Sequence, residues 1–346
     1  MLIHLANIFF ETDLCNFSTF EDKILSHPNF SQLQYLPVIY RKKNEWLAVS
    51  DLPESNVQDC TLIKHLEKKD DFKIEPWGIS QAIVNFAKDV KKINHYCNLE
   101  LIQKLSSKIF TYPYTKKFLP GSFLLQPNDN KIKQLYDSKY PFVLKNPEGF
   151  SGRGHAIFLQ KPTTYDNFLE KIKILLPSDH LIQEPWLNRT VDFSTQWLIS
   201  NESITCLGAT ILKNSKGGTY QGNVFNPQDP FLKKTYPEIE EHYNQVFMIL
   251  KDMQELNFKG HCGIDGFFYE KNNKTFLQPL VEINPRKTMG YVTLAYAKNH
   301  AIDDVVSIEL LDQKKCSHPQ LPLELKVGLR LIKFKKNLEI NFFKKN

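Results

Sequence analysis

Residues 280–290 read LVEINPRKTMG, an apolar strand that ends in an acid, skips one apolar residue and runs into Asn-Pro-Arg before a glycine. Strand side chains alternate faces, so Glu282 and Asn284 point one way while Ile283 points into a core. Two oxygen-bearing groups thereby share one small volume. Pro285 removes a ladder donor and stops the strand, leaving Arg286 on a loop at its carboxyl end, where open α/β sheets place their ligands. Just upstream, HCGIDGFFYEKNNKTFLQPLVEIN reads as a β-hairpin in which Asp265 faces Glu282 and Asn284. Two carboxylates and an amide oxygen, with nucleotide phosphates completing the shell, suit the hard, octahedral Mg²⁺ ion. His261 and Cys262 carry donors that suit other metals. A solvated Asp, or a strand end followed by a turn, would account for either half of the motif alone, and the pairing is what points to chemistry.

Two further stretches carry groups of the same kind. PFVLKNPEGFSGRGH sets Lys145 at a strand end ahead of a loop bearing Gly149, Ser151, Gly152 and Gly154. Backbone amides of such a loop can approach phosphate oxygens because no Cβ intervenes, and the lysine supplies a point charge. A plain hairpin turn has the same letters, and the loop is neither a Walker A nor a Rossmann fingerprint. LIQEPWLNRTVDFS puts Gln183, Glu184 and Trp186 at a strand exit able to offer backbone donors and acceptors to an adenine edge, with Asp192 at a distance suited to a ribose hydroxyl. A Trp beside a Pro also serves as simple packing.

The elements that must position these groups read as α/β. Residues 1 to about 105 alternate short apolar runs (LIHLANIFF, YLPVIY, EWLAVS) with helical patterns (ISQAIVNFAKDVKKINHYC, LELIQKLSSKIF). Pro113 and Pro120-Gly121 punctuate the next stretch and mark a boundary. From about 115 to 185 the order is strand, helix, strand, glycine loop, strand, helix, strand. From about 190 to 285 four strand-like runs (VDFSTQWLIS, SITCLGATILK, GIDGFFYE, KTFLQPLVEIN) surround one helix, PEIEEHYNQVFMILKDMQELN. YVTLAYAKNHAIDDVVSIELL reads as a last helix.

Composition bounds the partners. The 346 residues, 42% hydrophobic and 24% charged, describe an ordinary globular chain with room for two or three domains. A formal charge of +6 is mild and scattered, so an anionic small molecule is a better partner than nucleic acid or membrane. The basic segment Lys333 to Lys345 can equally form an edge strand with a solvated face. Cys15, Cys60, Cys97, Cys206, Cys262 and Cys316 show no zinc or redox spacing and read as reduced thiols. The first residues read as a strand rather than a signal peptide, and no run is long enough to span a bilayer, which makes a cytoplasmic protein the expectation.

Taken together, in this order and spacing, Lys145 with its glycine loop, QEPWL, Asp192, Asp265 and ExNPR resemble the ATP-grasp superfamily over about residues 106 to 300. The resemblance implies an α/β fold, with α+β character in the ATP-binding part: an N-terminal α/β domain (1–105), a small lid subdomain (106–187) and a larger C-terminal subdomain (188–346), with nucleotide between the last two. It implies that Lys145, Lys108, Gly152 and Gly154 hold ATP phosphates, that Gln183, Glu184, Trp186 and Leu187 form the adenine hinge, and that Asp192 takes the ribose. One spacing departs from the D-alanine ligase pattern: the hinge-to-acid interval is a residue longer. Asp265, Glu282 and Asn284 would bind Mg²⁺, or Mn²⁺ in its place, and Arg286 would hold the γ-phosphoryl or an acyl phosphate. Lys213 would add a phosphate contact or stand as a solvated lysine. The implied activity is ATP-dependent ligation of a carboxylate to an amine. A kinase acting on a hydroxyl and a non-catalytic ATP-binding module are the alternatives. The loop SKGGTYQGNVFNPQDP offers Gln221, Asn223 and Asn226 to a polar substrate, and relatives of this kind include homodimers.

Overall fold

The computed structural model describes residues 2–10, 27–50, 53, 62–63, 72–87, 93–149, 154–215, 220–327 and 330–343. The chain opens with β1 (Leu2–Leu5), α1 (Pro28–Leu33), α2 (Pro37–Tyr40), β2 (Trp46–Ala48), β3 (Leu62–Ile63) and β4 (Lys73–Pro76). The four strands form a parallel sheet in the order β3-β2-β1-β4. YLPVIY is helical rather than extended: Pro37 occupies the first position of α2, where its missing N–H costs nothing, and the turn overrides the β-branched pair that follows. Next come α3 (Gln81–Ala87), α4 (Leu99–Ser106) and α5 (Lys108–Phe118). Asn98 caps α4 and Ser107 caps α5, each side chain accepting a backbone N–H of the first turn.

Pro113 does not mark the boundary expected of it. It sits inside α5, which tolerates the loss of one bond to the Ile109 carbonyl, and the helix runs on to Phe118. The stop comes at Pro120-Gly121, where Gly121 takes φ +93°.

The middle of the chain follows the expected order: β5 (Phe123–Leu125), α6 (Asp129–Tyr136), β6 (Phe142–Lys145), β7 (His155–Phe158), α7 (Tyr165–Ile172) and β8 (Leu181–Pro185). Its strands make an antiparallel sheet, β5-β8-β6-β7. Phe142, Leu144, Phe158, Phe168, Ile172 and Leu181 give it a core of its own. A unit with a separate core can move as one body against its neighbour.

The rest is a seven-stranded antiparallel sheet, built from β9 (Asn188–Ile199), β10 (Ile204–Asn214), β11 (Tyr220–Phe225), β12 (Gly260–Lys271), β13 (Lys274–Asn284) and β14 (Val305–Asp312), with α8 (Ile239–Glu255) and α9 (Met289–Asn299) packed on it. After the hairpin β15 (Glu324–Val327) and β16 (Arg330–Lys333), the chain ends in β17 (Lys336–Phe343), giving the order β13-β12-β9-β10-β11-β14-β17. Residues 336–343 of the basic segment are therefore an edge strand. Two expectations fail here. YQGNVF is strand β11 rather than loop, because Gly222, Asn223 and Val224 are paired on both sides, with β10 and with β14. The last helix stops at Asn299, and VVSIELL turns into β14; its β-branched run pairs with both β11 and β17.

The parallel sheet and the large sheet share one core: Tyr35, Trp77 and Leu105 lie in the same apolar cluster as Phe193, Ile264, Leu280 and Ile283. Each such side chain contributes roughly 1.5–3 kcal/mol by leaving water. That common core fixes β4 against the end of β13, where the chemistry-bearing residues gather. No helix of the described residues is long and apolar enough to cross a membrane.

Candidate active site

The β12–β13 hairpin turns on Asn272 and Asn273, at φ +52° and +57°, the left-handed pair that a two-residue hairpin loop demands. From that turn the register runs regularly to Phe267 opposite Gln278, then shifts so that Asp265 stands opposite Glu282. Continued without the shift, the same register would have set Asp265 against Leu280. The extra residues lie around Pro279, which cannot donate to the ladder and suits a bulge. The displaced Pro279 carbonyl accepts a hydrogen bond from His242 Nδ1 on α8 at 2.6 Å. Thr195 Oγ1 lies 2.8 Å from the other ring nitrogen. A carbonyl cannot donate, so Nδ1 carries the proton and Nε2 accepts from the threonine hydroxyl.

The bulge brings the expected groups together. Asn284 Nδ2 donates to Asp265 Oδ2 at 3.3 Å, and Arg286 Nη2 donates to Asn284 Oδ1 at 3.2 Å. Lys108, the first residue of α5, pairs with Glu282 Oε1 at 2.7 Å and also donates to the Gly149 carbonyl. Ile283 is buried between them on the opposite face, as the alternation requires.

Charge is crowded here. Burial and the facing Glu282 push the Asp265 carboxyl up to about 7. Burial also raises Glu282, but the Lys108 ammonium and its hydrogen bond, with Arg286 and Lys145 behind them, hold that carboxyl below its ordinary value. Two carboxyls facing each other in a buried site leave one of them short of a positive partner, and a divalent cation would supply that charge. Among the described residues no three His, Cys, Asp or Glu side chains cluster for a metal. The donor set is two carboxylates and one amide oxygen, hard oxygen ligands that fit Mg²⁺ with phosphates completing its shell.

The small sheet faces this cluster with cations. Lys145 ends β6 and pairs with Glu184 on β8. Around the glycine loop, the Asn146 N–H donates to the Gly154 carbonyl at 2.8 Å, and Lys108 N–H donates to the Pro147 carbonyl at 3.0 Å. Gly154 has φ +76°, and a Cβ there would come within 3.1 Å of Gly149 Cα, so both backbone angle and close approach demand glycine. Gly152 and Ser151 lie outside the described residues. His155, which the sequence did not single out, is pushed below the ordinary imidazole range by burial and then by Lys145, Arg189 and Lys108. Three cations thus bear on one side chain, each paired here with an acid: Lys145 with Glu184, Arg189 with Asp192 and Lys108 with Glu282.

Gln183 is buried in β8. Because β5 pairs with β8 only as far as Gln183, that backbone edge is uncovered by β5 from Glu184 through Trp186 to Leu187. The Arg189 guanidinium lies 5.9 Å from the Trp186 ring centre and pairs with Asp192 at 3.2 Å. Asn214 Nδ2 donates to the other Asp192 oxygen at 3.1 Å.

Other candidates are occupied elsewhere. Lys213 pairs with Glu309 at 2.6 Å. Asn223 is fully buried and bonded to Thr210 and Tyr220, so it braces β11 rather than offering itself to a substrate. Asn226 accepts the Gln228 N–H, and Gln221 is exposed. Cys97, Cys206, Cys262 and Cys316 are free thiols, while Cys15 and Cys60 lie outside the described residues. Glu75 and Lys287, which sequence reading passed over, adjoin Arg286; only a contact 212 residues apart in sequence joins them, and no local pattern announces that.

No family model matches the sequence, and no curated protein does. Solved structures do. N5-carboxyaminoimidazole synthetase from Staphylococcus aureus complexed with ADP is similar over 99% of this chain and 93% of its own, at 14% identity and TM-score 0.59. Phosphoribosylamine–glycine ligase from Thermotoga maritima covers the same shares at 11% identity and TM-score 0.60. Biotin carboxylase from Campylobacter jejuni, in a beta-gamma-ATP complex, is similar over 79% of this chain and 71% of its own at 11% identity and TM-score 0.50. At such identities the likeness shows the fold: this chain has the ATP-grasp architecture that its sequence resembles.

Proposed function

We propose that the protein is an ATP- and Mg²⁺-dependent ligase that activates a carboxylate as an acyl phosphate and joins it to an amine, releasing ADP and phosphate. The observation that carries this reading is the shifted hairpin register, which sets Asp265, Glu282, Asn284 and Arg286 around one point beside Lys108. We take residues 106–187 as the lid, with α5 as the stalk by which it stands on β13, and residues 1–105 and 188–346 as the domains on either side.

A carboxylate and an amine do not condense unaided, because the carboxylate is a poor electrophile. In the proposed reaction a substrate carboxylate oxygen attacks the γ-phosphorus of ATP, the bond to the β-phosphate oxygen breaks, and ADP leaves. The amine then attacks the acyl carbon and phosphate departs with the bonding pair. Catalysis rests on positioning and on neutralising phosphoryl oxygens. Mg²⁺ bound by Asp265, Glu282 and Asn284 would supply part of that charge. Lys145 and Lys108 bind phosphate oxygens from the lid side, where each now pairs with an acid that polyphosphate would displace. Arg286 meets the phosphoryl end, and the backbone edge of Glu184 to Leu187 receives the adenine. Closure of the separately cored lid excludes water from the acyl phosphate.

An ADP-release screen with pooled carboxylic acids, with and without pooled amines, tests the reading. Turnover that needs both pools is the expected result. Turnover with hydroxylated compounds alone would make the protein a kinase, and Mg-ATP binding without turnover in any pool would make it a binding module. Lys145→Met should weaken Mg-ATP binding by about tenfold or more, the worth of a charged hydrogen bond. Unchanged affinity by calorimetry would remove Lys145 from the phosphate site.

A further inference from the structure

The turn after β13 sends two neighbouring cations in opposite directions. Arg286 stays at the metal-ligand cluster, whereas Lys287 runs inward with a side chain only 2% exposed. Its ammonium pairs with the Glu75 carboxylate, itself 6% exposed, and donates to the Pro76 carbonyl at 2.8 Å. Asn94 Nδ2 donates to the other Glu75 oxygen, and His261 Nε2 lies 3.9 Å from the first. The backbone repeats the connection, since Lys287 N–H donates to the Trp77 carbonyl at 2.9 Å. Among the described residues the acceptors of Lys287 belong to the end of β4 or the residue after it.

Arg286 is tied to this anchor from two sides. Its Nη1 donates to the Lys287 carbonyl at 2.9 Å while Nη2 reaches Asn284. On the far side, a Cβ built on Gly78 would stand 2.8 Å from Arg286 Cβ, so the chain after β4 presses directly on the arginine stem. Stability does not explain the buried pair, because exchanging such a pair for well-packed neutral side chains is often neutral or stabilising. What an ion pair with several directed bonds supplies is one geometry.

We infer that Glu75 and Lys287 are positioning residues that hold Arg286 at the phosphoryl end of the nucleotide, anchoring the arginine to the N-terminal parallel sheet. The inference rests on the reading of Arg286 proposed above. It also joins the two halves of the molecule: Glu75, Gly78, His95, His261, Arg286 and Lys287 line one small pocket, with the end of β4 and the arginine as neighbouring walls.

The test is the preference for Mg-ATP over Mg-ADP, taken as a ratio of dissociation constants on the whole chain, which reads contact with the γ-phosphoryl and requires no acceptor substrate. Arg286→Ala should lower that preference by about tenfold or more, the worth of a charge-assisted bond. Lys287→Met and the doubly neutral Glu75→Gln/Lys287→Met variant should lower it by a comparable factor. Adding Lys287→Met to Arg286→Ala should lower it no further, because both act through one guanidinium. The doubly neutral variant separates geometry from folding: with no buried charge left unpaired it should unfold near the wild-type temperature. If it does so and keeps the wild-type preference while Arg286→Ala loses it, the anchor is overturned and the ligase reading stands. If Arg286→Ala itself leaves the preference unchanged, the arginine does not meet the γ-phosphoryl, and both fail.

Discussion

Glu282→Gln should abolish Mg²⁺-dependent ADP formation, a fall of about a hundred- to a thousandfold or more, while the protein keeps its fold. The loss follows from charge, since the amide has nearly the shape of the carboxylate and can still accept from Lys108. A metal that stabilises transition-state charge is worth several kcal/mol, and a neutral amide in place of an ionised carboxylate weakens its hold on a hard cation. Glu282 is the better ionised of the two acids, held so by Lys108, whereas Asp265 opposite it is pushed up to about 7. Removing the more charged partner takes one carboxylate ligand from the site, and Asp265, freed of its facing charge, ionises more readily but supplies only its own oxygens. The fold should not suffer, because Leu280 and Ile283 remain in the shared core and one source of repulsion on Asp265 disappears. A coupled ADP assay across Mg²⁺ concentrations, with thermal unfolding alongside, reads both halves. Activity above roughly a tenth of wild type in a folded variant would mean that the metal is held elsewhere.

What the sequence made legible were the local relations. Alternation placed Glu282 and Asn284 on one face, and the stretch from His261 to Asn284 read as a hairpin, so Asp265 could be set on the facing strand. The order of elements from 115 to 185 was equally open to reading, because each strand there is short, apolar and bounded by turn residues. What stayed hidden depended on neighbours far along the chain. The run VVSIELL is extended because β11 and β17 flank it, and nothing within its own letters forbids a helix. Asn223 read as a free amide and proved to be a brace, since only the sheet reveals that Thr210 is beside it. The register shift at Pro279 lies between these cases. A proline within a strand hints at a bulge, but the carbonyl it frees is satisfied by His242, on a helix 37 residues earlier.

That histidine leads to the second large effect, an acid-sensitive brace under the strand that carries Glu282. Burial holds the His242 imidazole down at about 4, although its hydrogen bond to the Pro279 carbonyl opposes the shift. An unfolded chain would bind the proton near pH 6.5, so neutral His242 contributes stability that is complete above that pH and is lost progressively as the pH falls from there to about 4. A gap of this size is worth about 3 kcal/mol, taking roughly 1.4 kcal/mol per unit. His95, His155 and His261 are lowered as well and act in the same direction, while Asp265, raised, works the other way as its neutral form is favoured on acidification. The comparison must therefore be between wild type and His242→Gln, whose amide can still donate to the Pro279 carbonyl but does not titrate. Denaturant unfolding from pH 7 to pH 4 should cost the wild type about 3 kcal/mol more than the variant. Parallel curves would show that His242 is not held neutral by burial. The consequence for the site is direct, because a protonated ring can no longer accept from Thr195, and the helix that steadies the bulge is then strained against the strand that carries Glu282.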